Sequence, residues 1–487
     1  MRRVALAALA GALTVLALSP RGRGWLAWGA LVPLFLAVHR ATPRATIGAA
    51  IAYTVTFALA GLEPWFVRST AAYFGVPLPR MLLFTVPPLA LLAVVHGTIL
   101  GAMLAFARPR RLGAWDVVWC AALWPWWEML RTLAFPYYPA AFFGLTQETT
   151  LPVLQLASVT GVAGISFVVV AFNVGIASSI AARGGRDGAV AALTGLALVA
   201  GVAAWGAARL AHARDPTPAG PRVVTVDVDA HERVAGTLDR YLAASAAMPP
   251  DAALVVWPES ALTTDVEHDR GAWTRLAAFV SARGVPLLAG GPGTGLRPGG
   301  GTTHYNSAHL IVPGHGMRSY HKRGLVPFAE HWPALAGSPP ADLVSLDAGR
   351  DATVFPLGDT AFGVLICFEI TGARGARDLV RAGARFIVNL TNDAWFAEAG
   401  RPPHLPWAAL RAVETGLPVV RAANAGPSTV FDRFGRRGPT SRAALLAVAV
   451  PDAEPTLYAR HGDVFLAACL AVVVAGVAAA WRRRATG

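Results

Sequence analysis

Long hydrophobic runs constrain this chain more than any other feature. They occur at Val4 to Leu18, Trp25 to Val38, Thr46 to Leu62, Met81 to Ala107, Trp115 to Phe135, Val153 to Ile180, Ala189 to Ala208 and Val464 to Trp481. A helix needs about 20 apolar residues to cross a bilayer core, and several of these runs reach that length. With 54% hydrophobic residues and a mean hydropathy of +0.47, the chain is too apolar for an ordinary soluble protein. The reading is a multi-pass α-helical membrane domain of about seven helices over 1–213, a polar domain over 214–462, and a last transmembrane helix with a basic tail over 463–487, or about eight spans. The first run follows Arg2 and Arg3 and also fits a signal peptide, but either way it crosses once and leaves the parity of the later spans unchanged.

Arginine placement orients these spans. With a cytoplasmic N-terminus, the inside segments hold Arg2, Arg3, Arg40, Arg44, Arg108, Arg110, Arg111, Arg183, Arg186, Arg482, Arg483 and Arg484, whereas the outside loops hold Arg21, Arg23, Arg68 and Arg80. That asymmetry matches the positive-inside rule and turns the polar domain outward. It also accounts for much of the formal charge of +13, so the basic balance does not call for a nucleic-acid partner. Transport is disfavoured because the runs carry few ionisable residues, chiefly Glu63, Asp116, Glu128 and Arg131, and Glu128 and Arg131 can pair along one helix face.

Within the polar domain, short β-rich runs (VVTVDV, ALVVW, VPLLA, HYNSAHLIV, AFGVLIC, FIVNL, PVVRA, STVFD, ALLAVAV) alternate with helical stretches at His231 to Ala246 and Arg270 to Ala282. Alternation of this kind predicts an α/β domain, and the paired strands around Gly290 to Val312 predict a mixed rather than doubly wound sheet. The glycine run Gly290 to Gly301 lacks a phosphate-cradle context, since no helix opens after it, and reads as a hairpin loop. Five histidines between His304 and His331 match no common ligand spacing, so neither a metal nor any other cofactor is expected. Cys120 and Cys469 fall in apolar runs and Cys367 alone in the polar domain, which builds no disulfide framework.

Lysine occurs once, as Lys322, among 42 basic residues. An ammonium is a compact point donor where guanidinium is planar and always charged, so its survival invites a chemical reason. Glu259 lies just past the strand run ALVVW and Cys367 ends AFGVLIC; ligands in α/β sheets gather outside the carboxyl ends of strands. A thiol, a carboxylate base and an ammonium suit covalent acyl transfer. Singly, each also fits a blander role: a cap, a small core side chain and a solvated surface charge.

The stretches VVWPESAL, YHKRGLVPFAEHWP and LICFE followed by NLTNDAWF resemble the motifs of the nitrilase superfamily, and more specifically of the bacterial apolipoprotein N-acyltransferase family. WEMLR at 127–131, FGLTQ at 143–147, LPVLQLASVTGVAGISF, RAANAG and LYARHGD extend the likeness over nearly the whole chain. The resemblance implies an α/β nitrilase-like domain with a two-sheet αββα core, set between membrane helices on the extracytoplasmic side of a bacterial cell (inner) membrane. It implies Glu259 as general base, Lys322 as electrostatic stabiliser and Cys367 as nucleophile, with Glu330 and Glu369 auxiliary and Trp332, Trp395 and Phe396 against substrate. The implied partners are a phospholipid acyl donor and a diacylglyceryl-modified apolipoprotein acceptor; a membrane-tethered amidase using the same triad is the alternative. Ala329 stands where glycine is usual, Phe368 where tyrosine is common, and Arg401 to His404 where a Gln-His pair is common.

Overall fold

In the computed structural model the described residues are 1–487 without 19–21, 62–66, 69–70, 73–74, 108–112, 135–141, 213–219, 229–235, 298, 328, 333–344, 395–403, 442–443, 449–453 and 486–487. The chain divides into two compact units, one drawn from 1–213 and 461–487, the other from 214–397 and 402–460.

The first unit is helical: α1 (Arg2–Leu18), α2 (Ala27–Ala30), α3 (Val32–Val38), α4 (Pro43–Gly61), α5 (Leu78–Ala107), α6 (Ala114–Ala134), α7 (Leu151–Leu154), α8 (Ala157–Thr160), α9 (Val162–Ala181), α10 (Arg186–Ala211) and, from the end of the chain, α16 (Val464–Ala485). Against the expectation of about eight spans, four described helices, α4, α5, α9 and α10, are long and apolar enough to cross a membrane by length and composition. The other runs fall short for local reasons. Helix α1 stops at 17 residues. The second run breaks into α2 and α3. In the fifth, α6 carries Asp116, Pro125 and Arg131. The run from Val153 is split at Gly161, whose φ of +65° glycine adopts without strain, so that only its second part, α9, counts among the four.

Two packing devices hold this unit. Gly97 and Gly101 sit one turn apart on α5, and a Cβ on either would lie 2.6 or 2.5 Å from the Cα of Ile51 or Ile47, so the α4 and α5 backbones touch through a small-xxx-small face. Buried Asn173 of α9 donates to the carbonyls of Ala27 and Val169, each at 2.8 Å, and accepts from the amide of Leu31 at 2.9 Å. The backbone groups freed where α2 gives way to α3 are thereby satisfied inside an apolar bundle.

The described residues of the second unit form two six-stranded sheets. The first has the order β12-β1-β2-β3-β4-β5, from β1 (Arg222–Thr225), β2 (Leu254–Trp257), β3 (Leu287–Leu296), β4 (Thr302–Val312), β5 (Gly316–His321) and β12 (Ala444–Ala447). The second has the order β11-β10-β9-β8-β7-β6, from β6 (Val354–Leu357), β7 (Thr360–Ile366), β8 (Phe386–Asn392), β9 (Val419–Asn424), β10 (Ser428–Phe431) and β11 (Arg437–Ser441). Both are mixed: β1, β2 and β3 run parallel, as do β7, β8 and β9, while the outer pairs are antiparallel.

Strand alternation builds the layers. Leu254 and Val256 point into one apolar cluster with Leu288, Leu310, Val364, Ile366, Val388 and Val420, so the two sheets pack face to face. Val255 and Trp257 point the other way, into a cluster that includes Tyr241 of α11 (Thr237–Ser245) and Leu276 of α12 (Arg270–Arg283). On the second sheet, Gly363 of β7 lies against Leu379 of α13 (Ala373–Arg381), where a Cβ would come within 2.6 Å of that leucine's side chain. Helix α14 (Leu405–Thr415) is buried at every residue but Pro406, and α15 (Leu457–His461) closes the series.

Two details differ from the reading of the sequence. The first half of the glycine run is strand, since β3 pairs with β4 out to Leu296 opposite Thr302, and the hairpin turn proper begins after it. Strand β5, with the polar sequence GMRSYH, leads directly to Lys322.

Candidate active site

Parallel strands deliver the first two groups. Glu259 lies two residues beyond the carboxyl end of β2, and Cys367 directly follows β7 and opens a 3₁₀ turn over Cys367–Thr371. The third arrives from the β4–β5 hairpin: Ser307 faces His321, so the next pair outward is Asn306 and Lys322, joined by a bond from the Lys322 amide to the Asn306 carbonyl at 2.8 Å.

Lys322 is 1% exposed. Its ammonium lies 2.8 Å from Glu330 Oε1 and 3.5 Å from Glu259 Oε1. The Asn306 side-chain amide ties the same two carboxylates together, donating to Glu259 Oε1 at 2.8 Å and to Glu330 Oε1 at 2.7 Å. Each remaining oxygen takes a backbone amide: Asn392 donates to Glu259 Oε2 at 2.9 Å and Val326 to Glu330 Oε2 at 2.8 Å. Burial raises the pKa of Glu259 above its ordinary value; Lys322 opposes that rise and Glu330 adds to it. For Lys322, burial works against the charge, but Glu259 and Glu330 outweigh it and push the pKa up. The result is a permanently charged ammonium beside a carboxylate of unusually high proton affinity.

Cys367 is partly open. Burial raises the pKa of its thiol, the Glu259 carboxylate raises it further, and Lys322 pulls it back. It therefore rests as a thiol and needs a base to become nucleophilic. Its Sγ lies 3.9 Å from Nδ1 of His404, at the start of α14. Burial and the charges of Arg421 and Lys322 lower the pKa of His404 to about 3, so its ring is neutral at working pH.

Glu369 has a different place from Glu330. Its Oε2 accepts from the amide of Ile366 at 2.7 Å, and its Oε1 accepts from the amides of Arg323 and Gly324 at 2.8 and 2.9 Å. The Tyr320 hydroxyl donates to both oxygens at 2.8 and 2.9 Å. One carboxylate thus ties the turn that carries Cys367 to the strand that carries Lys322. Trp332 is half-buried, two residues past Glu330; Trp395 and Phe396 lie outside the described residues.

Backbone strain collects here. Among the described residues of this unit, Ser260, Cys367 and Ala425 are the non-glycine positions with positive φ, at 61°, 50° and 55°. Ser260 follows Glu259, Cys367 is itself a site residue, and Ala425 follows β9. Such conformations persist where the surrounding structure over-determines them, and they gather at functional sites.

Sequence reading alone does not reach Asn306, Tyr320, Asn392 or His404 as working parts. The available signal is a short polar side chain at the edge of an apolar strand run, in HYNSAHLIV for Asn306 and in FIVNLTN for Asn392.

The family model of the Apolipoprotein N-acyltransferase N-terminal domain matches residues 10–175, and that of Carbon-nitrogen hydrolase matches residues 224–474. An apolipoprotein N-acyltransferase of Geobacter metallireducens is 31% identical, covering 98% of this chain and 95% of its own. Proteins of the same name from Caulobacter vibrioides (31% identical, 78% of this chain and 76% of the relative) and Gloeobacter violaceus (30%, 98% and 95%) are also similar. Two sheets, a nitrilase-like catalytic unit and likeness over almost the full length agree, and the chain belongs to the apolipoprotein N-acyltransferase family.

Proposed function

We propose that the chain moves an acyl group from a membrane phospholipid to the α-amino group of a diacylglyceryl-cysteine lipoprotein through a thioester on Cys367. The observation that carries this reading is the buried ammonium of Lys322 held between Glu259 and Glu330 beside a partly open cysteine at a strand end. Glu259 takes the thiol proton as sulfur attacks the ester carbonyl. Lys322, together with backbone N–H groups, stabilises the tetrahedral oxyanion. The ester C–O bond breaks, Glu259 returns the proton to the leaving oxygen, and a lysophospholipid departs. The acceptor amine then attacks the thioester; the C–S bond breaks, and the amine proton passes through Glu259 to sulfur. This is ping-pong exchange, and it calls for no metal or organic cofactor.

Glu330 keeps Lys322 charged, Glu369 fixes the cysteine turn, and Trp332, Trp395 and Phe396 contact the acyl chain. The remaining apolar segments, including α16, complete an eight-span topology with the domain over 214–462 on the extracytoplasmic side of the cell membrane, a reading supported by the arginine asymmetry.

The test is intact-protein mass spectrometry of detergent-purified protein with phospholipid, before and after addition of a synthetic diacylglyceryl-cysteine peptide. An acyl adduct that disappears in Cys367→Ala and moves onto the peptide amine is expected. Release of the acyl group only to water would replace this reading with a membrane-tethered hydrolase, and no adduct would end it.

A further inference from the structure

The motifs NLTNDAWF and RAANAG contribute a pair of groups that the chemistry above leaves unused. Arg421, in the middle of β9, and Asp393, just past β8, are both buried, at 0% and 1% exposure. The guanidinium holds both oxygens of the carboxylate, at 2.7 and 2.5 Å, and its other arm donates to the carbonyl of Pro427 at 2.7 Å. The 425–427 turn closes over the pair so tightly that a Cβ on Gly426 would stand 1.9 Å from Asp393 Oδ2. Asp393 directly follows Asn392, whose amide reaches Glu259 Oε2, and the Asn392 side-chain oxygen accepts from Asn424 on β9 at 3.3 Å. A buried ion pair costs desolvation and is weak evidence for stability alone, so its position asks for a second reason.

We propose that the Arg421–Asp393 pair is a positioning device for the reaction: it pins the end of β8 so that the Asn392 amide stays on Glu259 and sets the pH at which Glu259 accepts the thiol proton. This inference rests on the role given to Glu259 above. A hydrogen bond to the ionised carboxylate favours that form, so losing it makes Glu259 hold its proton to higher pH. The charged and titratable groups facing Glu259 are Lys322 and Glu330, with Cys367 across the site and His404 beside that sulfur. Of these, His404 also feels the Arg421 charge, which Arg421→Lys keeps and Gly426→Ala leaves in place.

Gly426→Ala displaces the Asp393 carboxylate while leaving both charges in place, and Arg421→Lys keeps the charge but loses the planar two-armed group whose Nη2 holds both Asp393 oxygens while Nη1 holds the Pro427 carbonyl. The readout is the pH dependence of Cys367 alkylation by iodoacetamide on the full-length protein in detergent, with Cys367→Ala as the blank and acylation by dioleoyl phosphatidylglycerol in parallel. Both variants should move the acid limb of alkylation upward by about one pH unit, the size of a lost charge-assisted hydrogen bond. A limb that stays in place while the melting temperature falls would make the pair merely structural and overturn the proposal. If Gly426→Ala does not fold, Arg421→Lys decides by the same criterion. A shifted alkylation limb in a protein whose wild type forms no acyl adduct would retain the positioning role and remove the acyltransfer reading.

Discussion

Replacing Lys322 by arginine asks whether the site needs an ammonium or merely a positive charge. The side chain is enclosed, and its nitrogen is 2.8 Å from Glu330 and 3.5 Å from Glu259. An ammonium has three N–H donors, so two serve the carboxylates and one remains for a developing oxyanion. A guanidinium brings five donors in a longer, planar group. Overpacking costs about 1–3 kcal/mol, and each buried donor left without an acceptor costs about 1–3 kcal/mol more. If the guanidinium instead relaxes by gripping Glu259 in a fork, it lowers that carboxylate's proton affinity and weakens the base. Either route also misplaces the oxyanion donor, a loss worth about 10²–10³ in rate where such donors have been removed. Lys322→Arg should therefore slow acylation about 10²-fold or more. Lys322→Met should in addition lose stability by about 3–5 kcal/mol, because two buried carboxylates lose their counter-charge. Single-turnover accumulation of the Cys367 adduct, followed by intact mass with a thermal melt alongside, measures both effects. An arginine variant within about threefold of wild type, a difference of only about 0.7 kcal/mol in barrier, would refute the argument.

The pH profile of acylation should have an acid limb above the ordinary carboxylate value of 4.5, because burial raises Glu259 and the rate is lost as pH falls through that raised value. The ammonium of Lys322 is held above its usual 10.5, so no alkaline limb should come from it below about pH 10. His404 is neutral above about pH 3, so no limb should appear near 6.5, and one that vanished in His404→Gln would contradict its assignment. Glu369→Gln should replace one accepting oxygen by a donor that opposes Tyr320 and at least one backbone amide, costing about 2–4 kcal/mol and lowering the melting temperature by about 5 °C or more; an unchanged melt would remove Glu369 as the tie between the two strands.

How much of this was legible depends on what each segment buries. ALVVW reads as a strand because both of its faces are covered, Leu254 and Val256 by the second sheet and Val255 and Trp257 by helices. GMRSYH gives no such signal, since its polar side chains pair across β4, as Ser319 does with His309 at 2.8 Å. The glycine run looked like loop because backbone pairing, which carries β3 out to Leu296, needs no side chain to announce it. Among the helices, apolar composition marked the membrane unit but could not foresee breaks stitched from afar, as Asn173 stitches α2 to α3. In the site, Lys322 stood out by its rarity, and Glu259 and Cys367 by their place after strand runs. Asn306 and the Arg421–Asp393 pair did not stand out, because a buried polar side chain is identified by the partner that three-dimensional packing brings to it.

The left-handed backbone at Cys367 sets stability against activity at a single codon. A side chain at a φ of +50° costs of order 1–3 kcal/mol that glycine avoids, yet glycine carries no sulfur. On the role proposed for Cys367, selection for folding yield alone would push position 367 toward a residue that cannot form the thioester. The same left-handed backbone recurs at Ser260 and Ala425, beside Glu259 and the β9 end. With strain gathered at these three positions, stabilising changes in the sheet core would be the ones that offset it.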